Sequence, residues 1–163
     1  MIEVLLLRAW LSAAVSERTM PAPQALRVQA ATAPLGFSGA TLTIRSFQTT
    51  LGRRAERSVA LRTAGGAVRT RRLNGEGGWT GASSLNLYHV EQDVFLVVGR
   101  NNCVRIDPIR TSLSRCSRAT ACAAPHMFIG RFDWMNGFDP PHGRFGIGFR
   151  YLPSYDAAES EGC

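Results

Sequence analysis

Beyond residue 38 apolar side chains recur at every second position through most of the chain, the period of a strand with one covered face. "ATLTIRSFQ" (40–48) puts Leu42 and Ile44 on one face, and "RSVALRT" (57–63) does the same with Val59 and Leu61. "AGG" then supplies a turn and "AVRTRRL" (67–73) returns, which predicts a hairpin. Residues 83–108 hold three β-rich runs separated by "EQ" and "GRNN", the pattern of a meander. In its first run Leu85 and Leu87 oppose Asn86 and Tyr88. "DVFLVV" is apolar on both faces and predicts a central strand covered on both sides. Pro108 lacks an N–H and ends the ladder. "HMFIGRFDW" predicts a further strand, Asn136-Gly137 a type I′ turn, and "GRFGIGFRY" (143–151) a last strand with Phe145, Ile147, Phe149 and Tyr151 on its inner face.

The first twenty residues fit an amphipathic helix, with Val4, Leu7 and Leu11 on one face and Arg8, Ser12 and Ser16 opposite, ended by Pro21 and Pro23. They fit a signal peptide poorly, because Glu3 stands in the region that should be positive and Arg8 interrupts the apolar run. Met20 is an alternative start to Met1. No apolar run is long enough to span a bilayer as a helix. The expected organisation is an N-terminal helix or mis-assigned start over 1–19, an Ala/Pro-rich arm over 20–38 with one strand around Leu26 to Ala30, a β domain over 39–153 and an acidic, frayed tail over 154–163. The fold class is all-β: a single antiparallel β domain, sandwich or partly open barrel, of about eight short strands.

Charge adds a surface to this picture. The chain carries 19 basic residues for a formal net charge of +7, and every one is arginine. Without lysine there is no Walker A lysine, no Schiff-base lysine and no protein-kinase β3 lysine, so those chemistries are excluded. Residues 53–72 hold seven arginines against one glutamate, six of the net seven positive charges. Such a hairpin suits phosphates or an acidic partner, and its solvent-facing arginines also guard an edge strand against stray pairing. It has no aromatic residue for base stacking. Four cysteines, Cys103, Cys116, Cys122 and Cys163, include no CxxC pair and admit three connectivities, with Cys116–Cys122 the shortest ring. Two or more free thiols are expected, which favours the cytoplasm over a periplasmic or secreted location.

Three groups of residues are candidates for function. Arg69, Arg71 and Arg72 head the basic hairpin, and Trp79 and Trp134 are aromatic anchors for a partner. Asp133, Asp139 and His142 in "FDWMNGFDPPHG" are the residue types of an acid/base or metal-dependent hydrolase, although Asp139-Pro140 equally begins a turn. His126 with Cys116 and Cys122 supplies three metal-ligand types at no standard zinc spacing, so no metal and no cofactor is assigned. The expected function is a non-enzymatic β domain that binds a macromolecular partner, an acidic protein or a nucleic acid. The alternatives are the small hydrolase and nucleic-acid binding through Arg53–Arg72.

Overall fold

The computed structural model describes residues 25–49, 54–74, 76–77, 84–139, 144–159 and 163; the expected N-terminal helix lies outside them. The chain is all-β and antiparallel, as its period predicts. One sheet runs β1 (Ala25–Leu35), β2 (Ala40–Thr49), β3 (Arg54–Arg62) and β4 (Val68–Arg72), with the short β5 (Glu76–Gly77) also paired to β3. The other has the order β11-β10-β6-β7-β8-β9: β6 (Leu85–His89), β7 (Phe95–Gly99), β8 (Asn102–Asp107), β9 (Ser112–Arg115), β10 (Met127–Asp139) and β11 (Arg144–Pro153). One short helix, α1 (Arg118–Ala123), lies between β9 and β10.

Both sheets turn their alternate apolar residues toward one shared core. Ala33, Leu42, Ile44, Val59 and Leu61 come from the first sheet, and Leu85, Leu87, Val97, Ile106 and Phe132 from the second, all of them fully buried. The two sheets therefore form a sandwich, and their lateral edges meet at two seams, β1 beside β11 and β4 beside β9. At the first seam the Phe149 amide donates to the Gln29 side-chain carbonyl at 2.6 Å, and at the second the Arg71 guanidinium donates to the Leu113 carbonyl at 3.2 Å.

β7 is central and buried along its whole length, as its doubly apolar sequence predicts. Its second face packs a smaller cluster of Tyr88, Leu96, Val98, Cys103 and Ala121 beneath α1 and the C-terminal segment. Asn86 and Tyr88, opposite Leu85 and Leu87 in phase, are thus buried too, and the Asn86 amide donates to the Tyr88 hydroxyl at 3.0 Å. His89 is half-buried against Phe95, with ring centroids 5.2 Å apart.

Four expectations are corrected. The strand expected around Leu26 to Ala30 in the Ala/Pro-rich arm runs on to Leu35: Ala31, Ala33 and Leu35 alternate inward, and Pro34 is tolerated because β1 has a hydrogen-bonded neighbour on one side only. Asn136-Gly137 is no turn. β10 continues to Asp139, with Gly137 opposite Gly146 and Phe138 opposite Phe145, because the alternation stays in phase until Pro140 and Pro141, which have no N–H to extend the ladder. The tail is pinned rather than frayed: the Ser154 amide donates to the Ile129 carbonyl, Arg131 to the Ala158 carbonyl, and the Tyr88 hydroxyl to Glu159 at 2.6 Å while accepting the Cys163 amide at 2.9 Å. Finally, the cysteines are not free. Cys103 bonds Cys116 between β8 and the end of β9, and Cys122 bonds Cys163 between α1 and the tail. With the thiols goes the ground for a cytoplasmic location.

Candidate functional site

The two residues directly opposite each other in an antiparallel pair stand on the same face. Arg71 is opposite Val59 and Arg69 opposite Leu61, so both arginines stand on the core-facing side of β4. Arg115 is opposite Val104 and stands on the core-facing side of β9. Where these two edge strands meet, the inner face of the sandwich changes from apolar side chains to guanidiniums. The reason is local: β4 and β9 are the outermost strands of their sheets, with five and four residues, and their inner positions open to water. An arginine there lays its apolar stem on the rim of the core and keeps its charged head solvated.

A cleft of ≈ 80 Å³ lies at this seam, and its polar lining is Arg71, Arg72, Arg115, Asn74, Asn101 and Asn102. The asparagines build its floor. Asn102, 6% exposed, accepts from the Asn74 amide through Oδ1 at 2.7 Å and donates from Nδ2 to the Asn74 carbonyl at 3.4 Å, so its carboxamide grips the Asn74 backbone as a neighbouring strand would. Asn74 in turn donates from Nδ2 to the Asn101 carbonyl at 2.6 Å. These bonds tie the segment after β4 to the turn between β7 and β8. The Cys103–Cys116 disulfide, reinforced by the Cys116 amide donating to the Cys103 carbonyl at 3.0 Å, fixes the end of β9 and with it the backbone of Arg115.

The charge of the cleft is unbalanced. Arg72 pairs with Glu56 at 2.5 Å, an exposed ion pair of little value to stability. Among the described residues, Arg71 and Arg115 pair with no carboxylate: Arg71 bonds the Leu113 carbonyl, and Arg115 approaches the Asn74 carboxamide oxygen at 3.5 Å. Removing the floor is expected to loosen the seam. Asn102→Ala leaves the backbone of Asn74 without its two partners and should cost about 2 kcal/mol, read as a lowered urea midpoint at unchanged m value.

The other candidates are dispersed. Arg69 shares β4 with the cleft residues but is not part of the lining. Arg57, counted from sequence with the solvated hairpin, is instead buried in phase with Val59 and Leu61. Asp133 and Asp139 stand six residues apart on the single extended strand β10, about 20 Å of backbone. Asp133 is ion-paired with Arg131 at 3.2 Å and stands opposite Arg150. His142 and Trp79 lie outside the described residues. Trp134 stands opposite Phe149 near the β1–β11 seam, four strands across the sheet from β9, so its backbone is about 19 Å from the cleft. His126 reaches the Ala124 carbonyl at 2.7 Å and meets the Tyr88 ring edge-on, while Cys116 and Cys122 are held in disulfides and cannot serve as thiolate ligands beside it.

Sequence reasoning thus found two of the cleft's arginines and missed Arg115 and the asparagines. The available signal was the polar alternation of "SLSR" in β9 and the paired asparagines of "GRNN", which read as a plain hairpin turn. No protein-family model, curated protein or solved structure matches the chain, so its own geometry is what bears on function.

Proposed function

We propose that the protein is a non-enzymatic β domain that binds an acidic macromolecular partner at the β4–β9 seam. The observation that supports this reading is the cleft itself, where Arg71 and Arg115 come from two sheets and, among the described residues, pair with no carboxylate. Unbalanced positive charge in a concave site concentrates field and attracts anions. An acidic protein segment is favoured over nucleic acid, since residues 53–72 have no aromatic side chain on which a base could stack and two disulfides are the mark of an oxidising compartment.

Fluorescence anisotropy with a labelled hexa-aspartate peptide and a twelve-nucleotide single strand tests the reading. The peptide should bind at low salt, lose affinity as salt rises, and lose at least about tenfold in Arg69→Ser/Arg71→Ser/Arg72→Ser. Tighter, salt-dependent binding of the oligonucleotide would move the partner to nucleic acid. Absence of salt-sensitive binding to either probe would sink the reading.

A further inference from the structure

Beyond a general attraction for acidic partners, the cleft has the size, charge and donor arrangement of a site for one particular group. We propose that it seats a single tetrahedral dianion of the phosphate-monoester class. This deepens the binding-module reading, on which it rests for the origin of the ligand, a phosphorylated residue on the acidic partner.

Size is the first ground. A water needs about 10–15 Å³ of such space, so ≈ 80 Å³ takes roughly five to eight waters or one phosphoryl group of five heavy atoms with a water or two.

Charge is the second. Arg71 and Arg115 bring two positive charges, while Arg72, opposite Ser58, stands on the outward face and is neutralised there by Glu56. That balances a phosphate monoester, which carries about −1.5 to −2 at neutral pH, whereas a carboxylate would leave one guanidinium uncompensated.

Direction is the third. A lone arginine fork suits a planar carboxylate, two parallel N–H groups to two oxygens. Here the donors come from two sheets, Arg71 from β4 and Arg115 from β9, and the Asn74 and Asn102 carboxamides line the same cleft. Each of those carboxamide nitrogens has a second hydrogen beyond the bond it already makes. Donors converging from several directions match an anion whose oxygens point to the corners of a tetrahedron. Arg71 is also held in place before any ligand arrives, by its bond to the Leu113 carbonyl, which lowers the ordering cost of binding.

Isothermal titration of the folded, oxidised protein with inorganic phosphate, inorganic sulfate and acetate at matched ionic strength tests this. Phosphate and sulfate should saturate a single site and acetate should not. Arg115→Gln should weaken phosphate by at least about tenfold, because it removes a charge-assisted hydrogen bond to the anion. Arg115 has only the long contact to Asn74, so this variant should keep the parent's unfolding midpoint. Arg110→Gln, at an exposed turn paired with Asp107, removes the same charge elsewhere and should leave phosphate binding unchanged. A linear, unsaturable response, an equal effect of acetate, or unchanged affinity in Arg115→Gln overturns the inference. A second titration, of an aspartate-rich peptide with one phosphoserine against its glutamate counterpart, separates free anion from partner. Preference for the phosphopeptide supports the proposal. Saturation by inorganic phosphate with no binding of either peptide overturns the binding-module reading and the origin of the ligand with it. Salt-sensitive binding of both peptides alike, with no saturation by phosphate, overturns the oxyanion site and leaves the reading intact.

Discussion

Gly130→Ala is expected to destabilise the fold by about 4 kcal/mol, a large share of the 5–15 kcal/mol typical of a domain. Gly130 sits at the irregularity where β10 shifts register against β6, between Phe128 and the Gly130–Leu87 pair, with φ +157°. A Cβ placed there would lie 2.5 Å from the Leu152 carbonyl oxygen and 2.5 Å from the Tyr151 hydroxyl. The first obstacle is backbone of the paired strand β11 and cannot swing aside. The second is a tyrosine that crosses the glycine to donate to the Ile129 carbonyl at 2.9 Å and whose ring packs on the core beside Phe132. Backbone strain and overpacking each contribute about 1–3 kcal/mol. Gly66 is the internal reference, because its φ is +83° but a Cβ there meets nothing within 4 Å. Gly66→Ala should therefore cost only about 1 kcal/mol, and urea midpoints of the two variants check the difference. Equal effects at the two sites would mean that Leu152 yields.

Opening the Cys122–Cys163 bond should cost nearly as much. It closes a loop of sequence separation 41, for which the chain-entropy relation gives about 4 kcal/mol, against about 3 kcal/mol for the separation of 13 at Cys103–Cys116. The bond also holds the tail against the outer face of the second sheet, where Tyr88 bonds Glu159 and the Cys163 amide. Burial first, and the Glu159 carboxylate second, raise the Tyr88 pKa above its ordinary value, as expected of a phenol kept neutral beneath a strap. Thermal unfolding of Cys122→Ser/Cys163→Ser measures the loss, and the parent protein, denatured without reductant, should show no reactive thiol. Four reactive thiols in that assay would refute both bonds.

How much of this was legible in the sequence follows from how local each cause is. β7 could be read because "DVFLVV" is apolar on both faces whatever lies beyond it, and the β3–β4 hairpin because two periodic runs flank a glycine turn. Only the first half of β1 could be read, around Leu26 to Ala30; beyond it Ala31 and Ala33 are too small to stand out against Ala30 and Thr32, and Pro34 suggests a linker until the strand is seen at an edge. The Asn136-Gly137 turn failed because ten pairs in phase between β10 and β11 outweigh a dipeptide preference. Cysteine pairing depends on which elements the fold brings within about 5 Å, and no spacing encodes that. Arg115 was missed for the same reason. It stands between Arg110 and Arg118 in a polar stretch that reads as an arginine-bearing loop, and it gains a role only by standing across a seam from Arg71, 44 positions before it.

The two seams also differ in how much chain must be gathered to form them. Gln29 and Phe149 are 120 residues apart, Arg71 and Leu113 only 42. Loop-closure entropy grows as the logarithm of that separation, so joining β1 to β11 costs about 1 kcal/mol more than joining β4 to β9. The arginine cleft thus belongs to the seam whose closure demands the smaller sacrifice of chain freedom.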